Sequence, residues 1–324
     1  MNYSIIIPHH NTPDLLQRLL HSIPQRDDLE VIIVDDNSDD KIVDFENFPG
    51  VDRPNTKVIF DKKGGGGGYA RNIGLSYAKG KWIIFADADD FFNYCFNSVL
   101  DDYVDSAADV IFCKNNSLNE CFYTTSYRTI NLNNFIDSFI SGGKQDDINL
   151  RYVWGEPVCK IVRRNIIEDN NIRFEETAIH NDTRYSYLVG YYAKTICVDV
   201  RAIYCVMNRV GSVSKQISEE KKLDRIRVFS NAFVFFREHK LPITEQRHFK
   251  QLLECKKSNA KTYSLGLQIM VDSGITQKEI NRNMRLTRLL MLKSSIVSLF
   301  DKVILQSHLI RKVALHIVMS DGNK

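Results

Sequence analysis

The stretch Trp82-Ile83-Ile84-Phe85-Ala86-Asp87-Ala88-Asp89-Asp90 decides how this chain is read. Four large apolar residues in a row suit a short strand buried on both faces, the kind found in parallel sheets. Three aspartates follow where the strand would leave the sheet. In open α/β sheets, ligands bind outside such carboxyl ends. Working outward, the same grammar recurs. Residues 3–7 form an apolar run ended by Pro8, 29–34 a second closed by Asp35-Asp36-Asn37-Ser38, and 57–60 a third ended by Asp61 and a run of five glycines. Between them, Leu15, Leu16, Leu19, Leu20 and Ile23 recur at helical spacing behind Thr12-Pro13-Asp14, and 69–79 reads as a helix stopped by Gly80. Strands alternating with helices imply an α/β protein with a mostly parallel sheet. The polar clusters at 8–11, 35–38 and 87–90 would then line one crevice.

Beyond residue 104 the pattern is mixed, with strands expected at 110–112 and 195–198 and an aromatic turn followed by a helix within 151–167. From Ser218 the chain turns helical and basic, with no glycine until Gly266. This predicts two domains, a catalytic 1–217 and a helical 218–324. At 324 residues, 44% hydrophobic and 26% charged, the composition is that of an ordinary globular protein, and a net charge of +3 gives no reason to invoke a nucleic-acid partner. Seven cysteines without CxxC spacing argue against a disulfide or metal framework and fit a reducing cytosol. No signal-peptide pattern opens the chain and no apolar run nears the roughly 18 residues of a membrane span. The expected location is therefore cytoplasmic.

The chemistry-bearing residues each admit a bland reading beside a sharp one. Asp87 and Asp89 can ligate Mg²⁺ or Mn²⁺, hard cations that favour carboxylate oxygen and substrate phosphate, or merely cap a turn. A carboxylate at Asp35 or Asp36 can accept a pyrimidine ring N–H or close a turn. Gly65, Gly67 and Ala70, with Asp87 further on, match a dinucleotide fingerprint and so a nicotinamide-dependent oxidoreductase. Against that, two strand–helix units precede the glycines, and the acid is a cluster. Asp182, in His180-Asn181-Asp182-Thr183, suits a general base or a helix N-cap. Arg209, before Val210-Gly211-Ser212, suits a diphosphate. Trp154 and Glu156, with Lys160, Arg163 and Arg164, suggest a wall for a sugar acceptor or ordinary core packing.

Taken in order, Ser4-Ile5-Ile6-Ile7-Pro8-His9-His10-Asn11, Val34-Asp35-Asp36-Asn37-Ser38, Ala70-Arg71-Asn72-Ile73-Gly74-Leu75 and Phe85-Ala86-Asp87-Ala88-Asp89-Asp90 resemble the family 2 glycosyltransferases of the GT-A fold. The resemblance covers roughly residues 2–215. It implies a Rossmann-like sheet with a C-terminal helical extension and an inverting transfer from a nucleoside-diphosphate sugar, most often a UDP-sugar. Pro8 and Asn11 would border the nucleotide, Asp36 with Asp35 the base, and Arg71 and Arg209 the donor. Asp89 with Asp87 would hold a divalent cation, Mn²⁺ or Mg²⁺. Asp182 would be the base, although the acid that commonly precedes it is Asn181 here. The acceptor would be a glycan or a lipid-linked sugar of surface-polysaccharide assembly. A non-catalytic member of the same fold remains a further alternative, favoured by Asn181. A nucleotidyltransferase would carry a glycine-rich phosphate loop where Pro8-His9-His10-Asn11 stands. Finally, Leu286, Leu289, Leu290, Lys293, Ile296, Val297 and Phe300 fall on one helical face with basic flanks, so 281–318 suits either an anionic membrane surface or a packed bundle.

Overall fold

The computed structural model describes residues 1–121, 123–209, 218–242 and 246–292. In chain order they form β1 Tyr3–His9, α1 Pro13–Ser22, β2 Leu29–Asp36, β3 Thr56–Asp61, α2 Gly66–Tyr77, β4 Trp82–Phe85, β5 Phe91–Phe92 and α3 Phe96–Tyr103. There follow β6 Val110–Asn119, β7 Thr124–Thr125, α4 Ile130–Ile140, α5 Lys144–Ile148, a π-helical turn Asn149–Val153, β8 Lys160–Arg163, α6 Arg164–Asp169, α7 Thr183–Tyr192 and β9 Ile196–Asn208. Helices α8 Glu219–Glu238, α9 Arg247–Ser258 and α10 Ala260–Asp272 come next, and 277–292 is helical too.

The strands make one sheet in the order β3-β2-β1-β4-β8-β6-β9-β5, with β7 paired to β6. The four strands read from the first 85 residues are mutually parallel. Beyond β4 the sheet is mixed, because β8 runs antiparallel to both β4 and β6 while β6 and β9 are parallel. Ile5, Ile6, Ile7, Val31, Ile33, Trp82 and Ile83 are fully buried, as continuous apolar strands covered on both faces must be. Each such side chain contributes about 1.5–3 kcal/mol on burial.

Three expectations change. Strand β1 passes through Pro8 to His9 instead of stopping before it. The ladder with β4 ends at the Ile6–Phe85 pair, so Pro8 interrupts nothing on that side. Helix α2 starts within the glycine run, at Gly66. Strand β8, read as part of a helix-bearing stretch, contains the buried Lys160 and ends at Arg163.

The chain divides into two compact units, Met1–Asp224 with His239–Ile243 and Arg225–Glu238 with Thr244–Lys324. Ile226, Phe249, Leu252, Met270, Ile280 and Met284 form the core of the second. Of the face expected to be amphipathic, Leu286, Leu289 and Leu290 are exposed, and Ile280, Met284 and Thr287 turn inward instead. Lys293, Ile296, Val297 and Phe300 lie outside the described residues. Among the described residues no helix is long and apolar enough to cross a membrane.

Helix α7 packs backbone to backbone on the π-helical turn. The Arg151 guanidinium donates to the carbonyls of Gly190 (2.8 Å) and Ala193 (2.6 Å), a cation at a helix C-terminus. A Cβ at Gly190 would collide with the Arg151 carbonyl, whereas one at Gly155 would meet nothing. Gly190→Ala should therefore cost about 1–3 kcal/mol by overpacking and lower the thermal midpoint, with Gly155→Ala near wild type. Equal midpoints for the two variants would contradict this packing.

Candidate active site

The carboxyl ends of β1, β2 and β4 and the start of α2 open onto a cleft of about 800 Å³. Pro8, Asp36, Arg71, Asp87, Asp89 and Arg209 all line it, together with His10, Gly64, Gly66 and Gly67. Asn11 and Asp35 stand behind its wall. Asp182, Trp154 and Glu156 are not among the lining residues.

On the β1–β2 side, Asp35 is fully buried and accepts from His9 Nδ1 at 2.7 Å and from Ser38 Oγ at 2.5 Å. Burial pushes the Asp35 carboxyl up, but the hydrogen bonds from His9 and Ser38 outweigh it and leave the group below the usual carboxylate range. Asn11 adopts a left-handed φ of 55°. Its backbone N–H donates to Ser38 Oγ (2.8 Å) and its Oδ1 accepts from Asp39 N (2.8 Å). Asn11 and Asp35 therefore knit the β1 and β2 loops together and set the shape of the wall.

Asp36 faces the glycines. Its two carboxylate oxygens accept the backbone N–H groups of Gly65 (2.8 Å) and Gly66 (2.6 Å). Gly66 sits at φ 84°, a region that favours glycine, and a Cβ at Gly68 would strike the Glu175 carbonyl. The run is thus the tight entry to α2, not a free loop. Two of the amides that a dinucleotide pyrophosphate would draw on are held by Asp36.

Across the cleft, Arg71 joins two segments. Its Nη2 reaches Asp87 Oδ1 at 2.6 Å and its Nη1 reaches Asn181 Oδ1 at 3.1 Å, and the guanidinium lies over the Phe174 ring at 5.4 Å. Asn181 as an amide accepts from Arg71 without adding a negative charge beside Asp182. The Asp87 backbone N–H donates to the Tyr204 hydroxyl at 2.8 Å. Asp89 pairs with Arg209 Nη1 at 3.1 Å, and Arg18 donates to its carbonyl oxygen. Burial, then the charge of Asp87, raise the Asp89 carboxyl, with Arg209 opposing. Asp90 is buried, raised still further by burial and its acidic neighbours, and accepts from Met207 N at 2.7 Å. It is a structural acid.

Among the described residues no three or more His, Cys, Asp or Glu side chains converge on one point. A divalent cation would therefore rest on Asp87 and Asp89 and complete its shell with water and a ligand's phosphate oxygens. Two partly exposed carboxylates beside a cleft, one of them raised by burial and by the charge of the other, are a donor pair that a cation would relieve.

Asp182 is the N-cap residue of α7, but its side chain makes no capping bond. Burial raises its carboxyl and Arg71 pulls it back. Glu156 is pushed up to about 7 by burial, then by Asp182. Trp154 is buried. Of the basic residues read as an acceptor wall, Arg163 pairs in register with Trp82 at the start of β4, and Arg164 bonds the Gly80 carbonyl at 2.9 Å. Both stand at the opposite end of the sheet from the cleft, because β8 runs antiparallel to β4. Val210, Gly211 and Ser212 lie outside the described residues. Sequence reasoning missed the pairing of His9 with Asp35 and the reach of Arg18. A histidine at the end of a strand, beside a partner strand ending in aspartate, was the available signal for the first.

Residues 4–170 match the family described as Glycosyl transferase family 2. The chain is 28% identical over 228 residues to the poly(ribitol-phosphate) beta-N-acetylglucosaminyltransferase TarS of Staphylococcus aureus strain MW2, a match covering 65% of this chain and 36% of that protein. It thus spans about a third of that relative's length. It superposes on the crystal structure of S. aureus TarS 1-349 in complex with UDP-GlcNAc with a TM-score of 0.61 and 22% identity, covering 84% of this chain and 80% of that one. The mannosyltransferase PcManGT from Pyrobaculum calidifontis, in complex with GDP-Man and Mn²⁺, gives a TM-score of 0.50 at 14% identity, covering 90% and 80%. The fold is GT-A.

The raised Glu156 carboxyl has a consequence for stability. Between its ordinary value of 4.5 and about 7, the folded state keeps a proton that the unfolded state has lost. Wild-type stability is therefore eroded as pH rises through that window. The thermal midpoint of Glu156→Gln should rise progressively relative to wild type from pH 4.5 to 7 and keep a constant gap above. A gap that does not change with pH would show that Glu156 titrates normally.

Proposed function

The chain belongs to glycosyl transferase family 2, and from that premise we propose that it transfers a sugar from a nucleoside-diphosphate donor, a UDP-sugar, to a hydroxyl of a cell-surface polymer, with inversion at the anomeric carbon. The observation that carries this is the pairing of cleft acids with arginines: Asp87 with Arg71, Asp89 with Arg209, and Asp182 one residue beyond Arg71's second partner. The TarS relative supports a polyol-phosphate polymer as acceptor, and its UDP-GlcNAc complex supports a uridine donor.

In this reading the nucleotide lies against Pro8, the Asn11–Asp35 wall and Asp36. Each Asp36 oxygen gives one lone pair to a glycine amide, which leaves a second on each for a pyrimidine N–H. Arg71 and Arg209 face the diphosphate and stabilise the charge that develops as the bond from the anomeric carbon to the phosphate oxygen breaks. A divalent cation held by Asp89 and Asp87 would supply Lewis-acid neutralisation of the same oxygens. Asp182 takes the proton of the attacking hydroxyl, and its burial-raised proton affinity suits a base. Trp154 and Glu156 shape the acceptor side. The functional division falls between a transferase part, 1–217, and a C-terminal part, 218–324, helical over most of its described residues. In the latter, exposed Leu286, Leu289 and Leu290 stand among exposed Arg282, Arg285 and Arg288 and would meet an anionic surface at the inner face of the membrane.

UDP with Mn²⁺ should raise the thermal midpoint of the full chain, by an amount equivalent to about 2.7 kcal/mol when the ligand is at 100 times its Kd. Failure of every nucleoside diphosphate to do so, with and without metal, would sink the proposal. Asp182→Asn should lower kcat about 10²–10⁴-fold while sparing UDP binding. Asp89→Ala should lose at least about 10²-fold even at saturating donor. Near-normal turnover in either variant would reassign that role.

A further inference from the structure

Lys160 is 1% exposed, yet no step above uses it. It opens β8, one residue beyond the Ile84–Ile161 pair, and so stands level with the end of β4 from which Asp87 follows. Its Nζ donates to the Trp154 carbonyl at 3.0 Å and to Ser186 Oγ at 3.0 Å. The Ser186 hydroxyl in turn donates to the Gly155 carbonyl at 2.5 Å. Ser186 is itself buried and lies one turn after Asp182, whose carbonyl accepts the Ser186 N–H at 3.0 Å. One ammonium group therefore ties two segments that the sequence separates, the 154–156 segment and the first turn of α7.

A neutral leucine or methionine would fill this space at far lower desolvation cost, since a buried ammonium must be compensated by bonds and counter-charge. Asp182 and Glu156 provide the counter-charge. Burial pulls the Lys160 ammonium down to about 7, and these two carboxylates hold it up. The same two residues are the acid proposed to take the acceptor proton and the acid proposed to face the acceptor.

We infer that Lys160 is a positioning residue for transfer: through Trp154 and Ser186 it fixes Glu156 and Asp182 against each other at the acceptor side of the site. This rests on the glycosyltransferase reading for what is positioned, but not for the tie itself. Lys160 is buried and does not line the cleft. Removing it should loosen the base without weakening the nucleotide site, which is built from β1, β2, β4 and α2. A misplacement near 1 Å of a catalytic group can cost about 10²-fold in rate.

The test compares wild type, Lys160→Met and Ser186→Ala as full-length protein. Three quantities are read: UDP affinity with Mn²⁺, steady-state hydrolysis of UDP-GlcNAc by water, and amide hydrogen exchange at 154–156 and 183–187. In hydrolysis Asp182 would activate water in place of a hydroxyl, so no acceptor need be known. For Lys160→Met we expect a kcat about 10–100-fold lower, a donor KM and UDP affinity within twofold of wild type, and faster exchange in both segments. Ser186→Ala, which keeps the ammonium but removes one of its two bonds, should show the same split more weakly and covers the case in which Lys160→Met fails to fold. Unchanged kcat and unchanged exchange in folded variants overturn the inference, as does a kcat loss matched by an equal loss of UDP affinity. Wild-type protein that neither binds UDP nor cleaves any nucleotide sugar would instead refute the transferase reading. In that event, faster exchange in the variants would still bear out the tie between the two segments.

Discussion

Arg71 is buried near the start of α2, and its two terminal nitrogens end on Asp87 and Asn181. These partners lie 16 and 110 residues away, so one planar cation holds together the exit of β4, the entry of α2 and the approach to α7. Charge-assisted bonds of this kind are roughly twice as strong as neutral ones and, through a rigid fork, also set direction. The same guanidinium acts on Asp182 at a distance, lowering its carboxyl where the charge of Asp87 raises it.

A second polar tie works from the other wall. Asp36 caps the glycine entry to α2 with both carboxylate oxygens, so α2 is gripped at its first residues from β2 and, through Arg71, from β4. Local glycine chemistry makes that grip possible: the positive φ at Gly66 and the close pass of Gly68 over the Glu175 carbonyl would both resist a side chain. Five glycines in a row look like freedom in a sequence. Here most of that freedom is used to fit a helix start between two fixed walls.

The parallel half of the sheet was legible because its signals are local. Strand β4 coincides with the four apolar residues that suggested it, and Asp36 at the end of β2 and Asp87 and Asp89 after β4 come to the same cleft because parallel strands put their carboxyl ends on one edge of the sheet. What was not legible depends on distant partners. Lys160 carries the residue type of a solvated surface, and its burial depends on a carbonyl six residues back and a hydroxyl 26 residues on. Strand β9 was visible only in its first few residues, since its later half, Tyr204 to Asn208, is held by pairing with β6 rather than by its own pattern. Arg163 and Arg164 were grouped with Trp154 by proximity in sequence, and the antiparallel direction of β8 separates them. The roles of Asp182 and Glu156 rest on chemistry, while the closeness of Asp182 to Arg71 and to Glu156 rests on tertiary contacts that no spacing rule encodes.

Strand β8 is the seam of the molecule. On one side lie the four parallel strands made from the first 85 residues; on the other lie β6 and β9, made from residue 110 onward, with the two-residue β5 at the far edge and β7 beside β6. In the sheet, three antiparallel pairs on each side of β8 join the two halves. The wall bearing Pro8, Asp36 and Arg71 and the segment bearing Glu156 are thus encoded in separate stretches, and the ties between the first stretch and α7 run through residues 174–181 rather than 120–157. A lineage built this way can reshape the Glu156 segment by insertion or drift around 120–157 and leave the wall untouched. Recognition of one substrate is then heritable apart from recognition of the other, and diversity within such a lineage would gather on one side of the seam.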